Sequence, residues 1–281
     1  MNQVSAGQTL VAQTVFDSCE LNRRCGAPIG ILLLDYNYRP VPGGPRENPS
    51  SSASPYLCRI VPGCTVDRLV YKGDDGLQDL VITAARELVN EGARAIASNC
   101  GFMIRHQQAV RNAVDVPVLL SSLLVAPLLL ACLGSSKKLA VLTASGPTLT
   151  AELLERAGVS DAGRLVVGDV GSQPVFRQAV MEASEVVGMP ERTSYEAEIE
   201  RETVGVASSL ILQHPDIAAI LLECTGLSQY APAVHRATNL PVFDVASMIE
   251  FFADAFATPG LGRLTVDGKG IGLAVSVRRQ T

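Results

Sequence analysis

Along the chain, short runs in which nearly every position is apolar alternate with longer stretches in which apolar and polar residues recur at helical spacing. The short runs predict strands near 29–34, 58–61, 94–98 and 117–120 in the first half, and near 138–143, 164–167, 217–222 and 240–243 in the second. The longer stretches predict helices near 75–91, 105–114 and 123–133, then near 147–157, 194–213, 229–237 and 246–257. Strands that are apolar throughout and separated by helices belong to parallel sheets covered on both faces, because a parallel neighbour is reached only through a crossover. The expected fold class is therefore α/β, with two similar doubly wound parallel-sheet domains.

The two halves also match residue by residue. Residues 95–123 (AIASNCGFMIRHQQAVRNAVDVPVLLSSL) lie over residues 219–247 (AILLECTGLSQYAPAVHRATNLPVFDVAS) without a gap, placing Ala95 on Ala219, Ile96 on Ile220, Cys100 on Cys224 and Pro117 on Pro241. More loosely, CRIVPG (58–63) resembles GRLVVG (163–168), and IGILLLD (29–35) resembles LAVLTAS (139–145). A period above about 100 residues is too long for a solenoid and fits duplication of a whole domain. The expected division is a leader at 1–27, a first domain at 28–134 carrying Cys100 and completed by part of 240–281, a second domain at 135–239 carrying Cys224, and a tail at 258–281. A pseudo-twofold axis would relate the two domains, with the active site in the cleft between them.

Residues 116–134 (VPVLLSSLLVAPLLLACLG) are uncharged over nearly the length of a bilayer crossing. Pro117, Pro127 and the pair Ser121 and Ser122 divide them into a buried strand and a buried helix that stops at Gly134, so no membrane association is expected. The first 26 residues lack the basic start and apolar centre of a secretion signal, which points to the cytoplasm. Charged residues are 18% of the chain and the net charge is -5, without a basic run, so nucleic acid is not an expected partner.

Seven cysteines form no CxxC pair and are expected to be reduced thiols. Cys132, in an apolar helix, reads as packing, Cys58 and Cys64 flank a short strand, and Cys19 and Cys25 have no evident task. No metal is expected, since none of the three histidines stands at ligand spacing from a cysteine. The glycine-rich fragments GDDG (73–76) and PGLGRLTVDGKGIG (259–272) do not follow the strand-to-helix order of a phosphate loop, so no nucleotide is expected either.

Cys100 and Cys224 differ from the other cysteines in their setting. Each follows a strand and precedes a turn with a glycine (Gly101, Gly226) and a helix, which is where parallel sheets collect ligands. A helix start there would lower a thiol's pKa from about 8.5 and welcome a carboxylate. A buried cysteine at a strand end is ordinarily packing, but here the neighbours Asn99/Glu223 and Gly101/Thr225 have diverged between the repeats while the sulfurs have not. Two thiols facing one cleft can take a proton from a carbon and return one on the opposite face without a cofactor, if donors stabilise the carbanion. Asn99, Ser121, Thr225 and the backbone amides around Gly101 and Gly226 are the candidate donors.

In the duplicated plan and in SNCGFM and LECTGL, the chain resembles the aspartate/glutamate racemase superfamily, which also includes hydantoin racemases, maleate cis-trans isomerases and arylmalonate decarboxylases. The likeness covers roughly residues 28–257. It implies that Cys100 and Cys224 are the acid/base pair, that Asp35 lies near the first thiol, and that Asn99 and Thr225 contact substrate. Two departures stand out. Gly101 and Phe102 follow the first cysteine where Asn-Thr is usual, and Gly226 and Leu227 follow Cys-Thr where a histidine or glutamate is common. The loop YNYRPVPGGPRENPSSSASPY (36–56) reads as a lid or as a merely solvated loop, with Arg39, Arg46 and Asn48 as candidates to meet a substrate carboxylate. His106 reads as an exposed helical residue, His214 as a cap, His235 as surface, and Glu223 as either a partner of backbone amides or a modulator of Cys224.

The expected function is a cofactor-independent racemase or epimerase of a small carboxylate-bearing substrate, an amino acid being favoured. A cis-trans isomerase or decarboxylase of the same superfamily is the alternative, and a non-catalytic two-domain binding protein the second. Oligomeric state is open, a homo-oligomer included.

Overall fold

The structure, a computed structural model, describes residues 29–35, 56–182 and 195–256. The leader at 1–27, the tail at 258–281 and nearly all of the proposed lid, with Arg39, Arg46 and Asn48, lie outside the described residues.

The first sheet holds β1 (Ile29–Leu33), β2 (Tyr56–Ile60), β3 (Ala95–Ser98) and β4 (Val118–Leu119) in the order β2-β1-β3-β4, all parallel. The second holds β5 (Lys138–Thr143), β6 (Leu165–Asp169), β7 (Ile217–Leu222) and β8 (Val242–Phe243) in the order β6-β5-β7-β8, again all parallel. The two α/β halves share one strand order. The central strands β1 and β3 are buried at every residue, whereas the edge strand β2 is buried at none.

The helices are α1 (Gln78–Asn90), α2 (Gln107–Arg111), α3 (Ala126–Cys132), α4 (Ala151–Arg156), α5 (Pro174–Phe176), α6 (Glu196–Gln213), α7 (Ala231–Thr238) and α8 (Val245–Phe256). In α1 the buried residues Val81, Ala84, Ala85 and Leu88 recur at the spacing that makes one helical stripe. Each buried Val or Leu of such a stripe contributes about 1.5–3 kcal/mol. Gly92, at φ 101°, ends the run as Ala93 N–H donates back to Leu88 O at 2.9 Å. Asn239, at φ 55°, stops α7 in the same left-handed way.

Two helices cross between the halves. α8 follows the last strand of the second sheet, yet its Val245, Met248 and Ile249 pack in one cluster with Ile29, Ile31, Leu33, Ala95 and Ala97 of the first sheet. α3 follows the first sheet and packs against β5 of the second. The larger core cluster also runs through both halves, from Leu32 and Ile96 to Leu142 and Leu221. The carboxyl ends of the two sheets are thereby fixed with respect to each other. Among the described residues no helix is long and apolar enough to cross a membrane; residues 116–134 form β4, a 3-10 turn (Ser122–Val125) and α3.

Candidate active site

The apolar strand β3 ends at Ser98, whose hydroxyl lies 2.7 Å from Leu120 O and accepts from Cys100 N–H at 3.3 Å. Asn99 N–H continues the ladder to Leu32 O at 3.0 Å, and Asn99 Oδ1 accepts from Leu34 N–H at 3.0 Å. Cys100 is therefore held in extended backbone at the mouth of the sheet, before a 3-10 turn at Gly101–His106. The second half repeats the device. Glu223 N–H donates to Leu142 O at 2.8 Å, and Cys224 precedes a 3-10 turn at Thr225–Tyr230. The halves are joined here by the Thr225 hydroxyl, which donates to Asn99 O, and by the Ser122 hydroxyl, which donates to Leu222 O at 2.9 Å.

Between the two strand ends lies a cavity of ≈ 50 Å³. Asn99, Cys100, Gly101, Cys224, Thr225 and Gly226 all line it, so six of the residues predicted from sequence meet at one place. The rest of the wall is largely apolar, with Leu34, Val66, Val70, Phe102, Ala144, Val180 and Met181, and includes one carboxyl, Glu223. Among the described residues no group of three or more His, Cys, Asp or Glu side chains is arranged as a metal site.

Two predicted binding residues are not in the wall. Asp35 Oδ2 accepts from Gly63 N–H at 2.6 Å, which ties the end of β1 to the turn after β2. The Ser121 hydroxyl accepts from Leu123 N–H at 3.1 Å and caps the following turn. Asn48 lies outside the described residues. His106 is not exposed but 1% accessible, since the turn after Cys100 buries it along with Phe102, Met103 and Ile104. Burial lowers its pKa to about 4. His214 caps α6 through its N–H to Leu210 O, and His235 lies on the surface. Cys132 is exposed, because the last turn of α3 presents it to solvent rather than to the core.

Sequence reasoning underweighted Glu223. Its side chain is buried to 1% accessibility, Oε2 accepts from the Thr143 hydroxyl at 2.8 Å, and the backbone N–H of Ala144 also donates to the carboxyl. Burial outweighs these two donors and raises its pKa to about 7. Cys100 departs from the expected lowering as well. Desolvation first, then the Glu223 charge and Cys224, push its thiol well above the usual range, and one backbone N–H from Phe102 does not offset them. The turn after Cys100 is a 3-10 segment at Gly101–His106, and burial outweighs the single N–H it turns toward this sulfur.

Gly101 and Glu223 are one feature seen from two sides. A Cβ at position 101 would overlap Glu223 Oε1 and stand 2.7 Å from Glu223 Cδ. The same Cβ would stand 2.5 Å from the main-chain oxygen of Glu223, so both the backbone and the carboxyl of Glu223 require glycine at 101. Chemically, the cavity thus offers two sulfurs, a carboxyl that ionises near neutral pH, and the amide of Asn99.

No family model matches the chain. It is 32% identical over 242 residues to a dimethylsulfoniopropionate lyase from Durusdinium sp. clade D, covering 82% of this chain and 75% of that protein. Among solved structures it is similar to allantoin racemase from Pseudomonas fluorescens, with a TM-score of 0.54 at 17% identity over 81% of this chain and 89% of that one. It is also similar to unliganded arylmalonate decarboxylase, with a TM-score of 0.51 at 20% identity over 83% and 94%. Two parallel sheets meeting at a cysteine-bearing cavity give the chain the fold of the aspartate/glutamate racemase superfamily, and by sequence it belongs to the dimethylsulfoniopropionate lyase family.

Proposed function

We propose that the protein is a lyase that splits a sulfonium-bearing propionate, of which dimethylsulfoniopropionate is the favoured case, into an acrylate and a dialkyl sulfide. The observation that carries this reading is the meeting of Cys100, Cys224 and Glu223 on one small cavity in a chain of this family. In the reaction a thiolate takes the proton from the carbon next to the carboxylate. The C–H electron pair becomes the new C=C bond, and the C–S pair leaves with sulfur as a neutral sulfide. One base suffices.

Cys100 is kept protonated by desolvation and by the Glu223 charge, so Cys224 is assigned as the base and Cys100 as a thiol donor toward the carboxylate as charge builds there. Asn99, whose oxygen is engaged by Leu34 N–H, is assigned to offer its NH₂ group to the same carboxylate. The reading replaces the amino-acid racemisation expected from sequence and stands nearer to the decarboxylase alternative, since elimination and decarboxylation each break a bond to carbon through one thiol. Two thiols on one cavity also suit two-base racemisation, which is the second reading.

The purified protein is given dimethylsulfoniopropionate, with headspace gas chromatography for dimethyl sulfide and proton NMR for acrylate. Equimolar products are expected. If neither forms while α-hydrogens of amino acids exchange with deuterated water, the second reading replaces the first.

A further inference from the structure

The mechanism above uses two sulfurs and an amide, and gives the buried carboxyl of Glu223 no direct contact with substrate. Its Oε2 is engaged by Thr143, but Oε1 has no hydrogen-bond partner among the described residues. An acceptor buried without a donor is costly, and it is packed tightly against Gly101, where a Cβ would overlap that oxygen and stand 2.5 Å from the main-chain oxygen of Glu223. Around it the wall is apolar, with Leu34, Val66, Val70, Phe102 and Ala144. A ligand carrying N–H donors would suit the oxygen but not these walls. A sulfonium or quaternary ammonium group suits both, because it brings positive charge wrapped in methyl groups and has no N–H to satisfy.

We propose that Glu223 is the cation subsite of this cavity, its carboxylate recognising the onium head of the substrate while the apolar wall takes the methyl groups; this rests on the lyase reading for the reaction but not for the binding. The assignment has a kinetic signature. The positive charge disappears as the C–S bond breaks, so the attraction of Glu223 is stronger in the ground state than in the transition state. Removing the charge should therefore raise KM on the order of 10- to 100-fold without a matching fall in kcat. Loss of a base would instead lower kcat.

Two non-reacting isosteres test it by calorimetry at pH 8, 3-(trimethylammonio)propanoate and the uncharged-head 4,4-dimethylpentanoate. The wild-type protein is expected to prefer the cation by roughly tenfold or more, and Glu223→Gln is expected to bind the two alike. A preference that survives in Glu223→Gln overturns the assignment. Should that variant fail to fold, equal affinities in the wild type overturn it equally well. If the wild type releases sulfide yet binds the two isosteres alike, the subsite is wrong and the lyase reading stands. If it releases none yet prefers the cation in a way Glu223→Gln abolishes, the subsite stands and the lyase reading fails.

Discussion

Replacing Glu223 by glutamine should change how stability depends on pH, not merely its level. Burial raises the Glu223 carboxyl from 4.5 in the unfolded chain to about 7 in the folded one. Between these values the folded state holds a proton that the unfolded state has released, so wild-type stability falls as pH rises through the window. Above pH 7 the carboxyl is ionised in both states, and the penalty has reached its full size of about 3 kcal/mol. The titratable groups facing it are Cys100 and Cys224, and the raised thiol of Cys100 does not ionise in this range.

His106, lowered to about 4, adds an opposite slope as pH falls from 6.5, with less stability the more acid the solution. That slope is common to both proteins and cancels in their difference. Glutamine keeps the shape but buries an amide without a partner for its nitrogen, which shifts the whole curve by a constant. The stability of Glu223→Gln minus that of wild type, from urea unfolding at several pH values from 4.5 to 8.5, should therefore grow by about 3 kcal/mol across the series. Parallel curves would show that the carboxyl is not held neutral by burial, and would refute the electrostatic reasoning.

Other expectations follow from particular contacts. Gly101→Ala drives a methyl group into Glu223 and should cost about 1–3 kcal/mol of stability, read by urea unfolding, together with most of the activity. Ser122→Ala removes the hydroxyl that ties the turn before α3 to Leu222 O and should cost about 0.5–1.5 kcal/mol; an unchanged unfolding midpoint would show that this bond does not hold the halves together. The Cys64 thiol, raised to about 12 chiefly by burial, should resist alkylation at pH 8 in native protein and react only after unfolding, whereas exposed Cys58 and Cys132 react at once, as peptide mass mapping would record.

The fold was legible where strand interiors are apolar without a break. β5 at Lys138–Thr143 and β7 at Ile217–Leu222 have the bounds predicted from sequence, because buried parallel strands carry no polar residue in their interiors. Helices beside the site were read less well. The predicted helix at 105–114 shrinks to Gln107–Arg111, since the chain after Cys100 winds as a 3-10 turn that buries Phe102, Met103 and Ile104. The helical stretch at Pro174–Glu182 was not foreseen, being short and without a clear stripe.

At the site, internal repetition singled out Cys100 and Cys224, and their neighbours Asn99, Gly101, Thr225 and Gly226 follow from adjacency. Glu223 could not be given a task in the same way. Its meaning lies in Thr143, at the end of the neighbouring strand of the same sheet, and in Gly101, across the joined sheet ends, both remote in sequence.

The account stands on two sulfurs sharing one small cavity and dividing the work of proton removal. The most direct measurement is dimethyl sulfide release from dimethylsulfoniopropionate by wild type, Cys100→Ala and Cys224→Ala, each checked for native folding. Release by wild type, with loss on the order of 10³-fold or more in Cys224→Ala and a smaller but clear loss in Cys100→Ala, is the expected result. Wild-type rates in folded Cys224→Ala would contradict the account.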